Sequence, residues 1–294
     1  MNKPYKIALC QMTPTKDKDQ NHRRAAKAVA EAARSGAGVV CLPEIWNAPY
    51  DLKLLRDYAE PEGGPSFDLM ARMASENKIY LIGGTIPEEA GNAEATRNAE
   101  DFRDTVSDEN AESAGGAAAA GRLKVYNTSY VFDPNGGLIA KHRKTRLFDV
   151  DIEGGLRFKE SDFFSAGEGV TVFDTVFGKM GLAICFEVRF PELFREMNKA
   201  GAHIVFVPAA FNINTGAAHW DILMKSRALD NQMYIAACAP ARDLTASFTT
   251  WGHSCVATPW GEYCAAADAR ETIVYAEIDR GYLNKVRREI PIGN

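Results

Sequence analysis

Short apolar runs of strand length alternate with helix-forming segments along the first part of this chain. No other feature narrows the fold as much. Lys6 to Gln11 reads as a strand. Asp19 to Ser35, rich in Ala, Lys and Arg, predicts a helix stopped at Gly36. Val39 to Leu42 is a second strand, closing on Pro43-Glu44. Ser66 to Asn77 is a second helix, with Phe67, Met70 and Met73 on one face and Ser66 placed to cap it. Ile79 to Ile82 is a third strand, closed by Gly83-Gly84. The order strand, helix, strand, helix, strand implies an α/β layered architecture.

Later segments make a purely parallel sheet untenable. Val125 to Phe132 and Leu138 to Lys141 flank Asp133-Pro134-Asn135-Gly136-Gly137, a strong hairpin signal. Asp149 to Gly167 reads as loop, and Val170 to Phe173 with Lys179 to Ile184 reads as a strand pair. A helix to Ala200, a strand Ile204 to Val207, a helix Ala217 to Asn231 and a strand Met233 to Ala237 follow. His253 to Thr258 and Thr272 to Ile278 flank Pro259-Trp260-Gly261-Glu262 and are expected to form a second hairpin, before a last helix Gly281 to Glu289. Two mixed sheets packed on each other, with helices outside, fit this pattern. Residues 90–121 interrupt it: acidic, rich in Ala, Gly, Asn and Ser, and nearly without large apolar side chains. They read as a surface insertion expected to be mobile, not as a linker. The chain is therefore expected to be a single domain over residues 1–294.

Several function classes are disfavoured. The net charge of -5 gives no general attraction to nucleic acid or anionic membranes. No apolar run approaches the length that spans a bilayer, and the N-terminal segment is too short and polar for a signal peptide. The six cysteines form no CxxC pair and are read as reduced thiols, which points to the cytoplasm. The sequon Asn127-Thr128-Ser129 lies in a predicted strand and is discounted. There is no GxGxxG, no phosphate loop and no paired His/Cys set at metal-ligand spacing.

What remains is a set of reactive side chains at the ends of strands. Lys179 to Ile184 reads as a buried strand, and Pro191-Glu192 opens a helix containing Leu193, Phe194 and Met197. Cys185 falls at the join, where a thiol can be held out to substrate and activated by neighbours. The bland alternative is a small buried hydrophobe. Glu44 follows a strand beside Ile45 and Trp46, a partly desolvated setting that suits a general base, against the alternative of an ordinary loop glutamate. Lys144 sits in His142-Arg143-Lys144-Thr145-Arg146, where a solvated basic face is the ordinary expectation. No one histidine among His22, His142, His203, His219 and His253 stands out as base to a thiol.

Taken together, Leu42-Pro43-Glu44, His142-Arg143-Lys144-Thr145-Arg146-Leu147-Phe148-Asp149 and the run Gly181 to Leu193 resemble the Glu, Lys and Cys motifs of the carbon–nitrogen hydrolase (nitrilase) superfamily. The order and context match over almost the whole chain. Pro49-Tyr50, Tyr58-Ala59-Glu60, Phe158-Lys159-Glu160-Ser161 and Phe211 to Trp220 extend the likeness toward the ω-amidase type. The resemblance implies a four-layer α-β-β-α sandwich of two mixed sheets, a homodimer, and no metal or organic cofactor. It implies a small-molecule amide as substrate: the terminal amide of a 2-oxo dicarboxylic acid monoamide such as 2-oxoglutaramate or 2-oxosuccinamate, cleaved through a cysteine thioester. Cys185 would be the nucleophile, Glu44 the acid–base group, and Lys144 and the Phe186 backbone N–H the oxyanion donors. Glu160 would be a fourth polar residue bonded to Lys144 or near the attacked carbon. Arg189, Phe211 and Thr215 would bind the substrate, with Arg189 gripping its far carboxylate; a structural ion pair with Glu187 or Glu192 is the alternative for that arginine. The competing readings are a deaminated-glutathione amidase, a carbamoyl amidohydrolase or true nitrilase, and a non-catalytic binding protein on the same fold. Two departures from the family pattern are the long insertion and the stop at Ile292-Gly293-Asn294, where a further segment crossing the dimer interface is expected. The testable geometry is that Glu44 and Lys144 both lie within a few ångströms of the Cys185 sulfur.

Overall fold

A computed structural model describes residues 3–90, 123–153 and 156–292. Apart from Ala90, the insertion expected at 90–121 lies outside the described residues. Its two flanks are adjacent, since the Ala90 N–H donates to the Lys124 carbonyl at 2.9 Å.

The first half builds one sheet. In chain order come β1 (Tyr5–Gln11), α1 (Lys18–Arg34), β2 (Val39–Cys41), α2 (Pro65–Asn77), β3 (Tyr80–Ile82), β4 (Ile86–Glu89), β5 (Val125–Phe132) and β6 (Leu138–Arg143). Asp17 caps α1 by accepting from the Gln20 N–H. Pro65 opens α2 behind Gly64, so Ser66 is no cap; its buried hydroxyl donates to Glu60 instead. The sheet is completed by β15 (Thr272–Ile278), in the order β15-β1-β2-β3-β5-β4, with β6 also paired to β5.

The second sheet contains β9 (Thr171–Thr175), β10 (Gly178–Leu182), β11 (Ile204–Pro208), β12 (Tyr234–Cys238), β13 (Cys255–Ala257) and β14 (Tyr263–Ala266), in the order β14-β13-β12-β11-β10-β9. Its helices are α3 (Pro191–Lys199) and α4 (Ile213–Asn231), and α5 (Arg280–Glu289) follows β15. Asn212 caps α4, which therefore begins at Ile213 and not at Ala217.

Two expectations about this half fail. β13 pairs with β12 and β14, and Thr272 to Ile278 instead crosses to the first sheet and pairs antiparallel with β1. The stretch Asp149 to Gly167 is not all loop; it contains a small hairpin of β7 (Asp149–Asp151) and β8 (Arg157–Lys159).

Side-chain alternation sets the layers. In β1, Ile7 and Leu9 face the second sheet and meet a core that includes Met180, Leu182, Ile204 and Phe206. Ala8 and Cys10 point the other way, into the layer formed by Ala25, Val29 and Ala32 of α1 and Met70 and Met73 of α2. On the far side, Leu193, Phe194 and Met197 of α3 and Trp220 and Met224 of α4 cover the second sheet. The result is the expected four-layer α-β-β-α sandwich. The ends of β2, β6, β8, β10 and β11 lead into the segments that carry the candidate residues.

Candidate active site

Four candidate side chains converge where these strands end. Glu44, Lys144 and Glu160 are fully buried, and Cys185 is 4% exposed. Glu44 follows β2 through Leu42-Pro43. Lys144 is the first residue past β6, so Asn127 of the neighbouring β5 receives its backbone N–H at 2.9 Å. Glu160 starts a 3₁₀ turn directly after β8. Cys185 starts another, Cys185–Arg189, which separates β10 from α3. The strand does not pass straight into the helix, as the local pattern suggested.

The Lys144 ammonium donates to Glu44 Oε1 at 2.9 Å and to Glu160 Oε1 at 2.9 Å. A solvated lysine is thereby excluded. Burial alone would lower its pKa, but Glu160 and Glu44 outweigh burial and hold the amine charged. Glu160 Oε2 also lies 2.9 Å from the amine, so both Glu160 oxygens and Glu44 Oε1 surround it. The Cys185 thiol is close enough to Glu44, Lys144 and Glu160 to feel the charge of each. Burial, reinforced by the Glu44 charge, raises the thiol pKa well above its usual value, and nearby Lys144 opposes this only in part. The resting sulfur is therefore a thiol, and its proton must leave to a base when it reacts. Glu44 is the carboxylate whose charge acts most strongly on that thiol, which makes it the candidate to take the proton.

The carboxylates are held by more groups than the sequence suggested. Glu44 Oε1 accepts from Asn127 Nδ2 at 2.8 Å, and its Oε2 accepts from the Ala210 N–H at 2.7 Å. Glu160 Oε2 accepts from the Phe148 N–H at 2.6 Å, and the Tyr50 hydroxyl donates to Glu160 Oε1 at 2.5 Å. Asn127 is the asparagine of the discounted sequon, and no local signal marks it as a partner of Glu44. Tyr50 stood in a segment of family likeness, but nothing in its neighbours assigns it a role. Backbone strain also concentrates here. Cys185 has φ +47° and Ile45, next to Glu44, has φ +50°. A β-branched residue in the left-handed region is a true outlier, and such strain tends to gather at functional sites.

The remaining candidates line one cleft. Phe148, Cys185, Phe186, Arg189, Ala210, Phe211 and Thr215 enclose it. The Phe186 N–H, at the start of its 3₁₀ turn, has no acceptor among the described residues. Arg189 is half-buried, and its guanidinium lies over the Phe186 and Phe211 rings at 5.6 and 5.3 Å. It donates to His219 Nδ1 at 3.2 Å and has no carboxylate partner among the described residues. The alternative of an ion pair with Glu187 fails because Glu187 bonds Thr145, His142 and the Ile184 N–H. Thr215 and Phe211 are buried, 8% and 4% exposed.

Comparison with known proteins identifies the family. The family model for carbon–nitrogen hydrolases matches residues 6–288. The omega-amidase NIT2 of Homo sapiens is 41% identical over 288 residues, covering 98% of this chain and 93% of the relative. The omega-amidase NIT2 of Xenopus tropicalis gives the same identity and the same coverage, 41%, 98% and 93%. In structure, Nit3 of Saccharomyces cerevisiae, a member of branch 10 of the nitrilase superfamily, superposes with a TM-score of 0.83 at 35% identity, covering 99% of this chain and 96% of its own. Family match, sequence relatives and fold agree: this chain belongs to the carbon–nitrogen hydrolases of the nitrilase superfamily and is an amide-hydrolysing enzyme.

Proposed function

We propose that the enzyme hydrolyses the ω-amide of 2-oxo dicarboxylic acid monoamides, 2-oxoglutaramate and 2-oxosuccinamate, to the dicarboxylate and ammonia. The observation that carries this is Arg189, a cation without a carboxylate partner among the described residues, in the same cleft as the Cys185 thiol. An ω-amide of this class carries a carboxylate at the end opposite its amide. A guanidinium binds such a group through two parallel hydrogen bonds.

In the proposed cycle Glu44 takes the Cys185 proton as sulfur attacks the amide carbon. Negative charge develops on the carbonyl oxygen, which is stabilised by the Lys144 ammonium and the Phe186 N–H. Each such donor is worth roughly 10²–10³ in rate. Glu44 returns the proton to the nitrogen, the C–N bond breaks, and ammonia leaves a thioester on Cys185. Glu44 then takes a proton from water, the hydroxide adds to the thioester, and the C–S bond breaks to give acid and thiol. Glu160 and Tyr50 keep Lys144 in place. Phe211 and Thr215 shape the cleft around the chain between amide and carboxylate. The likeness to omega-amidases supports this substrate class over deaminated glutathione. We also propose a homodimer, for which the exposed Ile222 and Leu229 of α4 provide apolar surface.

The test is ammonia release from 2-oxoglutaramate and from deaminated glutathione, side by side, with mass spectrometry of the quenched enzyme. The expected result is faster release from 2-oxoglutaramate and a thioester mass shift that Cys185→Ala abolishes, together with at least about 10⁴-fold of the rate. Equal or faster turnover of deaminated glutathione would reject the substrate. Full activity in Cys185→Ala would reject the mechanism.

A further inference from the structure

Lys144 and Cys185 come from different sheets, Lys144 after β6 and Cys185 after β10. Their separation decides whether the ammonium reaches the developing oxyanion, yet no strand pairing joins β6 to β10. One buried side chain bridges the two segments. Glu187 is fully buried. Its Oε2 accepts the N–H of Ile184, the residue immediately before the thiol residue, at 2.5 Å. Its Oε1 accepts the Thr145 N–H at 2.7 Å and the Thr145 hydroxyl at 2.6 Å, at the residue immediately after Lys144. His142 Nε2 lies 3.1 and 3.0 Å from the two carboxylate oxygens. A carboxylate only accepts, so that nitrogen carries a proton. The other ring nitrogen, Nδ1, is 3.0 Å from the Thr171 hydroxyl on β9, which ties the histidine itself across the sheets.

The same carboxylate sits where the backbone is strained. Cys185 at φ +47° is held in the left-handed region between Ile184 and Glu187. Glu187 closes that turn twice, by its side chain to the Ile184 N–H and by its own N–H to the Ile184 carbonyl at 3.0 Å. Released from these bonds, an L-residue relaxes to a negative φ and its side chain swings away.

We propose that Glu187 is a positioning residue that sets the Cys185–Lys144 separation by bracing the thiol turn against the end of β6. The proposal rests on the roles assigned above to Cys185 and Lys144. Glu187 touches neither substrate nor sulfur; it acts through Ile184 on one side and Thr145 on the other. Glutamine at 187 keeps the volume but turns an amide NH₂ toward the Ile184, Thr145 or His142 donors.

The experiment compares Glu187→Gln and Thr145→Val with the unmodified enzyme in the full chain. A displacement of about 1 Å costs on the order of 10²-fold in rate. The expected result for Glu187→Gln is therefore a kcat lower by roughly 10- to 100-fold with KM changed less than about 3-fold. Alkylation of Cys185 by iodoacetamide, which needs no substrate, should slow, and its pH profile should move to higher pH as Lys144 loses hold of the thiolate. Thr145→Val should shift both readouts the same way by less, because its backbone N–H still donates; it also serves if Glu187→Gln does not fold. A folded Glu187→Gln with unchanged kcat and alkylation profile would overturn the proposal. So would an apparent kcat that falls only in step with the folded fraction, at unchanged KM and with the alkylation profile of the folded enzyme unmoved. A shifted alkylation profile in an enzyme that releases no ammonia from any amide would uphold the brace and reject the proposed function.

Discussion

Lys144 illustrates how a single residue escapes local reading. Within its own basic segment it looks like a solvated cation, yet it is fully buried between two carboxylates from distant segments. Breaking such a pair from one side leaves a buried charge and costs several kcal/mol, so a buried lysine persists only where its partners are also fixed. Arg189 is the opposite case, a half-buried cation without a carboxylate partner among the described residues. Its charge is therefore available to a ligand. Replacing it tests the proposed substrate grip directly. Arg189→Met should raise KM for 2-oxoglutaramate by about 10- to 100-fold, the worth of a charge-assisted contact of about 1.5–3 kcal/mol. The kcat/KM for an uncharged amide of similar length should stay within about 3-fold, both read by steady-state ammonia release. Equal losses on the two substrates would remove Arg189 from carboxylate recognition.

At the scale of elements, the site depends on how strand ends are delivered. Pro43-Glu44 is backed by Gly84, whose φ is +59°. A Cβ there would lie 2.2 Å from the Pro43 carbonyl oxygen and 2.8 Å from Leu42. No side chain fits without moving the peptide that carries Glu44, and an L-residue is strained at this φ in any case. Gly84→Ala should lower stability by more than about 2 kcal/mol in denaturant unfolding and reduce kcat as Glu44 shifts. A variant with unchanged stability and kcat would show that the backbone here is free to adjust. The β7–β8 hairpin makes a second point about elements. Its strands are three residues each and mostly polar, so no apolar alternation announced them. Yet they place Phe158 against Tyr50, Phe148 and Phe248, with ring centroids 5.8, 5.8 and 5.1 Å apart, and lead directly into Glu160. The pairing is fixed by that aromatic packing and not by strand propensity.

For the whole molecule, the two sheets are joined by apolar packing and by a few polar ties, among which His203 has a distinct pH signature. Its Nδ1 donates to the Lys179 carbonyl at 2.7 Å, so Nε2 accepts from the Tyr5 hydroxyl of β1 at 2.6 Å. Burial, with Arg280 nearby, lowers its pKa from 6.5 to about 4. The unfolded chain therefore takes up a proton near pH 6.5 that the folded chain refuses until about pH 4. The stabilisation is fully present above pH 6.5 and is lost as pH falls toward 4, by up to about 3 kcal/mol. His203→Gln should flatten the decline of unfolding free energy between these pH values; an unchanged slope would place the effect elsewhere. The sequence by itself determined most elements, and its likeness to the nitrilase-superfamily motifs picked out Glu44, Lys144 and Cys185. Helix periodicity, buried apolar runs and Gly or Pro breaks are local signals, whereas the motif residues stand out only in combination across the chain. Tertiary structure alone decided that Thr272–Ile278 pairs with β1 and not with β13, that Asn127 and Ala210 hold Glu44, and that Glu187 joins the thiol turn to Thr145. Those partners are far apart along the chain, and their contacts exist only once two sheets pack face to face. Strand pairing depends on which exposed edge and which apolar face become available during that packing, a property of the assembled layers that no local run of residues encodes.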